Sequence, residues 1–213
     1  MKNILIMGAS SGIGLATTKL ALERGYSVVA FSRSVEKMTL RHDKLVKIAG
    51  DARDVDHVRG VMSEIDVVVQ VLGVPLNLRA ILGPIDLFSA ATKVLVAEMQ
   101  NANIRRLLCV TGFGAGKSRS SIHPLQRLGF SLVFGRAYGD KTIQESLIEQ
   151  SDLDWTLVRP GVLFNTKASG RYRVLTEPKQ WGNGIVARED VADFLVQQFS
   201  LQTHIHKSPV LIR

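Results

Sequence analysis

The sequence predicts a single α/β domain built on a doubly wound, mainly parallel β-sheet with helices on both faces. Short β-rich runs alternate along the chain with longer segments of helical periodicity, which is typical of a parallel sheet covered on both sides. The 213 residues are 46% hydrophobic and 22% charged, which is enough apolar material for one sizeable core. No repeat or low-complexity tract divides the chain, so we expect residues 1–213 to form one domain.

About seven strands are expected. The first run, NILIM, is apolar throughout, as in a strand that is buried on both faces. The predicted strands cover residues 3–7, 27–32, 45–48, 66–71, 106–111, 154–158 and 209–212. Residues 171–175 are a candidate for an edge position of the same sheet.

Helical periodicity separates these strands. In the first helix Ile13, Ala16 and Leu20 share one face, and Gly25 supplies a left-handed stop. The predicted helices cover residues 12–24, 55–62, 85–101, 138–149 and 190–199. Residues 112–135, which are rich in Gly and Ser and then apolar, are expected to be irregular.

The loop between the first strand and the first helix points to a nucleotide. It reads GASSGIG, a GxxxGxG spacing, and such glycines let the backbone turn tightly and approach a pyrophosphate at the helix N-terminus. A glycine-rich loop alone also fits an ordinary turn, but its place between an apolar strand and a helix favours a Rossmann-type dinucleotide site. The loop residues expected to bind the cofactor are Gly8, Ser10, Ser11, Gly12 and Ile13.

The residues after the second strand favour NADP(H) over NAD(H). NAD-binding domains usually place an acidic residue here to accept hydrogen bonds from the ribose hydroxyls. This chain has Ser32, Arg33 and Ser34 instead. Arg33 can bind a 2′-phosphate through two parallel N–H donors, with a solvated surface arginine as the alternative.

Three segments resemble the short-chain dehydrogenase/reductase superfamily. The glycine loop has that superfamily's spacing. Residues 154–161 (DWTLVRPG) and 187–192 (AREDVA) resemble segments of its atypical, single-domain members, which include flavin and biliverdin-type reductases, quinone reductases and NmrA-like redox-sensing regulators. The resemblance covers nearly the whole chain and implies the fold and a nicotinamide cofactor, but it leaves the substrate open.

The resemblance also implies further cofactor contacts. The residues after the third strand would contact the adenine, the turn after the fourth strand would pass the ribose, and the end of the sixth strand would border the nicotinamide. These positions are Asp51, Ala52, Leu72, Gly73, Pro160, Gly161 and Val162.

Catalytic residues follow from the same resemblance. Reductases of the superfamily commonly combine a hydroxyl that positions the carbonyl, a tyrosine that gives the proton, and a lysine that lowers the tyrosine pKa and holds the ribose. These roles map to Thr111, Tyr138 and Lys141, with Thr111 and Lys141 also touching the cofactor. Tyr138 and Lys141 are three residues apart instead of the family's four, so they share a helical face without the family's spacing. The alternative is that of the flavin-reductase-like relatives, which often lack the tyrosine–lysine pair and transfer hydride from the nicotinamide by positioning the substrate alone.

Residues 112–136 are expected to cover the substrate end of the crevice. A basic rim at Lys117 and Arg119 and an apolar continuation suit a lid over a small, aromatic, anionic substrate. A packed surface loop or a homodimer contact fits the segment equally well. The net charge of +8 is consistent with either a solvated basic surface or attraction of anions.

The function that fits best is NADPH-dependent hydride transfer to a small aromatic, quinone, flavin-like or ketone acceptor. The alternatives are a non-catalytic NADP(H)-sensing regulator and, with less support, a sugar-nucleotide epimerase or dehydratase. Residues 111–118 (TGFGAGKS) resemble an ATP-binding P-loop, but a threonine takes the first glycine position.

Several other classes are not expected. His123 has no second ligand at a useful spacing, so no metal site is predicted, and no recognition motif indicates specific binding of nucleic acid. No uninterrupted apolar run reaches the roughly 18 residues of a membrane span. The first apolar run is too short for a signal-peptide core, and Cys109 has no disulfide partner, so a cytoplasmic protein is expected.

Overall fold

A computed structural model describes residues 2–73, 86–116, 118 and 124–213, with residues 124–136 described by their backbone alone. The strands are β1 Asn3–Met7, β2 Ser27–Phe31, β3 Leu45–Ile48, β4 Val67–Gln70, β5 Arg106–Val110, β6 Asp154–Pro160, β7 Val162–Phe164, β8 Arg173–Leu175, β9 Ile185–Ala187 and β10 Val210–Ile212. The helices are α1 Gly12–Glu23, α2 Val55–Arg59, α3 Leu87–Asn101, α4 Pro124–Glu149 and α5 Arg188–Gln197.

The central sheet has eight strands in the order β3-β2-β1-β4-β5-β6-β10-β8. All neighbours are parallel except β8, which pairs antiparallel with β10 at the edge. The doubly wound α/β prediction is confirmed. The expected strand number of about seven is low by one, since the edge candidate is a full member of the sheet.

A second, two-stranded sheet pairs β7 with β9 in parallel. The sequence did not reveal it, because each strand has only three residues and three-residue runs carry too little periodicity to detect. This small sheet follows directly on β6 and precedes α5, so it lies beside the carboxyl ends of the central strands.

Each face of the central sheet has its own core. Successive side chains of β1 point to opposite faces and so belong to different cores. Ile4 and Ile6 pack with α1 and α5. Leu5 and Met7 pack with α2, α3 and the C-terminal part of α4. All four of these side chains are fully buried. Helices on both faces explain why the strands read as continuous apolar runs.

Helix α4 is the main departure from the predicted elements. Residues 112–135 were expected to be irregular, but the helix begins at Pro124, and Tyr138 lies in its interior. Gly129, Gly135 and Gly139 lower the intrinsic helix propensity of this stretch, and propensity is a weak prior that tertiary context overrides. Pro124 suits the first turn of a helix, where its missing N–H costs nothing.

Smaller differences concern element ends. The last helix begins at Arg188 and not at residue 190, and β6 continues through Pro160. Within the parts of the chain that the structure describes, no helix combines the length and the apolar character needed to cross a membrane.

Candidate cofactor site and active centre

A cleft with a volume of about 590 Å³ opens at the carboxyl ends of the parallel strands. It runs from the end of β2 across the glycine loop to the end of β6, over the β1–β4 switch point where doubly wound sheets bind ligands. The predicted site residues that line it are Gly8, Ser10, Ser11, Gly12, Ile13, Arg33, Asp51, Ala52, Leu72, Gly73, Thr111, Tyr138, Lys141, Pro160 and Gly161. The residues predicted to bind the nucleotide and those predicted to be catalytic therefore line one continuous surface.

Val162 is the predicted contact that lies outside the cleft. Side chains alternate along β7, so Leu163 lines the cleft while Val162 and Phe164 face outward with 64% and 46% of their surface exposed. Position 163 is thus the residue of this strand placed to touch a ligand.

The glycine loop packs too closely for side chains at two of its glycines. Gly8 has a φ of 93°, and a Cβ there would lie 2.5 Å from the carbonyl oxygen of Val71. A Cβ at Gly14 would lie 2.2 Å from the carbonyl oxygen of Gly8. Both separations are shorter than real Cβ contacts, so the tight strand–turn–helix geometry that brings backbone up to a pyrophosphate requires glycine.

The N-terminus of α1 faces the cleft with its positive end unneutralised. The N-cap residue Ser11 makes no side-chain capping bond, and the first turn holds no acidic residue. Since helix N-termini favour negative charge, the loop fits the phosphates of a dinucleotide.

Serine hydroxyls join the glycine loop to the end of β2. Ser10 Oγ lies 2.9 Å from Ser32 Oγ and 3.2 Å from Ser34 Oγ. Arg33, between the two serines, is exposed at the rim of the cleft. This cluster presents hydroxyl donors and one guanidinium where the adenosine end of a dinucleotide would lie.

Asp51 carries a negative charge at the same end of the cleft. Its carboxylate accepts hydrogen bonds from Arg53 at 2.9 and 3.2 Å and from the Arg53 backbone N–H at 3.0 Å. The Arg53 guanidinium and backbone, helped by the charge of Arg33, lower the pKa of Asp51 to about 2. Asp51 is thus paired with Arg53, and Arg33 adds a further positive charge at this end of the cleft.

A buried ion pair lies beneath the other end of the cleft. Glu145 of α4 accepts hydrogen bonds from Arg159 of β6, with Nη2–Oε2 at 2.7 Å and Nε–Oε1 at 3.0 Å. The two side chains are 3% and 0% exposed. Thr111 Oγ1 donates to the same Glu145 Oε1 at 2.6 Å, so the Thr111 proton points away from the cleft and its lone pairs remain for a ligand.

Lys141 lies one helical turn before Glu145 and faces the cleft. Its ammonium donates to the carbonyl oxygen of Thr111 and lies 4.7 Å from the centre of the Phe88 ring. Burial lowers the pKa of Lys141 to about 8, against the opposing attraction of the nearby Glu145 and Asp140 carboxylates. The group is therefore mostly cationic at neutral pH but titrates in an accessible range.

Tyr138 shares this face of α4 in spite of the shortened spacing. A Cβ at Gly112 would lie 2.9 Å from the Tyr138 hydroxyl oxygen, so a glycine there makes room for the hydroxyl beside the end of β5. Burial raises the pKa of Tyr138 to about 12. The tyrosine is thus a neutral hydrogen-bond donor at ordinary pH, and it lacks the lowered pKa of an activated acid.

Asp140, which lies between Tyr138 and Lys141 in the sequence of α4, fixes α4 against α3. Its carboxylate accepts the backbone N–H groups of Phe88 at 2.8 Å and Ser89 at 3.2 Å and so caps α3, whose own N-cap Asp86 makes no side-chain bond. This cap also holds Phe88 in the cleft wall. Sequence reasoning missed Asp140, because a residue that caps a distant helix leaves no local pattern.

Other lining residues were also missed. Leu87, Phe88 and Leu163 add apolar surface to the cleft, and Arg188 adds a cation beside the glycine loop. The predicted basic lid falls partly outside the described residues, since Lys117 and residues 119–123 are not among them. The P-loop-like stretch places Gly116 against the Glu145 carboxylate, where its Cβ would lie 2.0 Å from Oε2.

The fold and the cleft are those of a nicotinamide-dinucleotide protein, and comparison with known proteins agrees. The model of an NAD(P)H-binding family matches residues 8–201. The chain belongs to this NAD(P)H-binding family.

Solved structures extend the comparison over the whole chain. ChuY, an anaerobillin reductase from Escherichia coli O157:H7, is 25% identical with a TM-score of 0.83, and the alignment covers 99% of this chain and 97% of that one. A short-chain dehydrogenase/reductase from Veillonella parvula in complex with NADP has a TM-score of 0.82 at 18% identity, covering 100% and 94% of the two chains, which shows the shared fold.

Curated relatives match over a short segment. An uncharacterized oxidoreductase of Schizosaccharomyces pombe is 44% identical over 55 residues, which is 26% of this chain and 19% of the relative. The ipsdienol dehydrogenase of Ips pini is 40% identical over 55 residues, 26% of this chain and 22% of the relative. The matched segment thus spans about a fifth of each relative's length.

Proposed function

We propose that the protein is an NADPH-dependent reductase of a small acceptor with an apolar, planar body. The observation that carries this proposal is the single cleft in which the glycine loop and Arg33 lie at one end and Thr111, Tyr138 and Lys141 at the other. The reductase ChuY, similar over nearly the whole chain, supports the same class of reaction.

The preference for NADPH is argued from charge. In this proposal Arg33, which lies between Ser32 and Ser34 at the rim of the cleft, binds a 2′-phosphate, while the carboxylate of Asp51 is paired with Arg53. A charge-assisted hydrogen bond contributes about 1.5–3 kcal/mol, which is roughly 10- to 150-fold in affinity.

The cofactor, when bound, supplies the hydride, and the chain's residues position the acceptor. Tyr138 donates a hydrogen bond from a neutral hydroxyl, and the Lys141 ammonium adds positive charge near the end of β5. Thr111 acts as an acceptor, because its proton is held by Glu145. Leu87, Phe88 and Leu163 form the apolar wall against which a planar acceptor packs.

A panel assay tests the proposal. Purified protein is mixed with NADPH and with quinones, flavins, ketones and anaerobillin, and loss of absorbance by the reduced cofactor is followed under anaerobic conditions. We expect oxidation of NADPH by at least one acceptor. Tight binding of NADPH without turnover on any of them would exclude a reductase of these classes.

A second candidate is a non-catalytic NADP(H)-sensing protein. The specific observation in its favour is that neither hydroxyl in the active centre is activated, since the Thr111 proton is bonded to Glu145 and the pKa of Tyr138 is raised. A sensor would bind the reduced and oxidised cofactors with different affinities and without turnover, so the same assay combined with binding titrations separates the two candidates.

A further inference from the structure

Arg188 is a cleft residue to which neither the sequence patterns nor the proposed mechanism assigns a role. It is the first residue of α5, is partly buried, and lines the cleft beside the glycine loop. Its side chain comes within about 4 Å of the space above Gly12, where a Cβ on Gly12 would lie 3.9 Å from Arg188 Nε. The guanidinium therefore stands at the first turn of α1.

The charge of Arg188 is not neutralised by the described part of the protein. Its guanidinium donates to the neutral amide oxygen of Asn165 at 2.5 Å, and no described carboxylate forms an ion pair with it. The two acidic neighbours in sequence are engaged elsewhere. Glu189 accepts the Ala168 backbone N–H at 2.7 Å, and buried Asp190 accepts bonds from Ser169 and Gly170 at 2.8–2.9 Å.

Those acidic residues also hold Arg188 in place. They fix the loop around residues 165–170 to the start of α5, and Asn165 in that loop binds the guanidinium. The backbone of Arg188 is therefore fixed in α5, and its guanidinium is held by Asn165. Asn165 lies in the loop that Glu189 and Asp190 bind to the start of α5. A side chain held in this way loses little conformational freedom when it binds a ligand.

The position of this cation has an electrostatic consequence. The N-terminus of α1 is already positive, with neither a capping side chain nor an acidic residue in its first turn. A guanidinium beside it raises the local potential further, which disfavours the ligand-free arrangement and favours a group with more than one negative charge. A pyrophosphate meets that requirement, and it is the part of a dinucleotide that lies on a glycine loop.

We propose that Arg188 binds the cofactor's pyrophosphate, opposite the glycine loop, and that Asn165 positions it. The proposal rests on NAD(P)H binding in the cleft and is independent of the reductase activity proposed above. It assigns the two arginines of the cleft different tasks, since Arg33 distinguishes NADPH from NADH whereas Arg188 binds both.

Cofactor titration of variants tests this assignment without any substrate. Dissociation constants for NADPH and for NADH are measured by calorimetry on the unsubstituted protein and on Arg188→Ala, Arg188→Lys and Asn165→Ala. We expect Arg188→Ala to weaken both cofactors equally, by about 10- to 150-fold. Arg188→Lys should recover part of the loss, because it keeps the charge without the fork of donors, and Asn165→Ala should cost less than Arg188→Ala.

Lys19→Ala is the matched control. Lys19 lies on α1 and, like Arg188, lines a neighbouring cavity between α1 and α5, but it does not line the cofactor cleft. Lys19→Ala removes a nearby positive charge that makes no contact with a phosphate in this assignment. It should therefore change the affinity for NADPH and for NADH by less than about threefold. Thermal unfolding of each variant checks that the fold is retained.

Three results would overturn the proposal. In the first, Arg188→Ala changes the affinities as little as Lys19→Ala does. In the second, Arg188→Ala weakens the binding of NADPH but not that of NADH. In the third, Arg188→Ala loses affinity because it is unfolded, and Arg188→Lys recovers none of the lost affinity. If the unsubstituted protein bound neither cofactor, the cleft itself would be misassigned and the role of Arg188 with it. Binding without turnover would remove only the reductase proposal.

Discussion

The two ends of the cleft are built in different ways. At the adenosine end, the glycine loop, Ser32, Arg33 and Ser34 come from the first 34 residues and present donors and positive charge to an open surface. At the other end, Thr111, Lys141, Glu145 and Arg159 come from three separate elements, and their polar groups are bonded mainly to each other.

This difference indicates that the adenosine end recognises the ligand and that the other end is pre-organised by its own hydrogen bonds. The open end gains most of its interactions when a ligand arrives, so its substitutions should affect binding. The polar groups of the enclosed end are hydrogen-bonded to one another within the protein, so its substitutions should affect stability first. Substitutions at the two ends can therefore separate binding from stability.

Glu145→Gln should have the largest effect on stability. It leaves the fully buried Arg159 guanidinium without its counter-charge, and breaking a buried pair costs about 3–5 kcal/mol. The free energy of unfolding in urea measures the loss. The double variant Glu145→Leu with Arg159→Met should recover much of it, because it removes both charges. Equal losses in the single and the double variants would contradict the buried-pair explanation.

Gly14→Ala should abolish most cofactor binding. The new methyl would lie 2.2 Å from the Gly8 carbonyl oxygen, so the loop must open, and a shift of about 1 Å at a site can cost about 100-fold. Calorimetric titration with NADPH measures the affinity. The control is Gly139→Ala, an exposed helix position with nothing within 4 Å, which should bind normally. Unchanged binding in Gly14→Ala would show that the loop does not hold the cofactor.

Arg33→Ala should change the choice of cofactor. NADPH affinity should fall by about 10- to 150-fold through loss of a charge-assisted bond, while NADH affinity changes little. The ratio of the two dissociation constants is the measurement. Lys37 is a nearby basic residue that does not line the cleft, so Lys37→Ala serves as the control for the change in overall charge. Equal losses for both cofactors would argue against a 2′-phosphate contact.

The affinity for NADPH should depend on pH through Lys141. The pKa of Lys141 is about 8, so the ammonium is present below that pH and is lost as the pH rises through it. If the cation contacts the cofactor, affinity falls by up to about tenfold per pH unit above the pKa. Lys141→Met has no titrating group, so its affinity should be lower near pH 7 and independent of pH in this range. An identical slope in both proteins would assign the dependence to another group.

Tyr138→Phe should have the smallest effect. A neutral donor with a pKa near 12 contributes one hydrogen bond, about 0.5–1.5 kcal/mol, so kcat should fall by roughly 2- to 13-fold. A general acid would instead contribute about 100- to 10,000-fold. The measurement is kcat with an acceptor found in the panel assay, and a loss in the larger range would show that the cofactor or substrate activates Tyr138.

The sequence predicted the fold more completely than the active centre. Apolar runs located the strands of the central sheet within one or two residues, because burial on both faces leaves a strong pattern. The short strands β7 and β9 of the second sheet were missed. The start of α4 was missed, since its glycines resemble a loop. Tyr138 and Lys141 were found by resemblance, and the sequence could not show that Thr111 donates to Glu145.

By itself the sequence determined the α/β class and the nucleotide loop, because both depend on residues that are adjacent along the chain. The tertiary structure decided what distant residues do to one another. It joined Glu145 to Arg159, set the pKa of Lys141 by burial, made Asp140 the cap of α3 and brought Arg188 to the first turn of α1. Such effects arise from desolvation and from hydrogen-bond geometry across separate elements, which no local pattern of residues records.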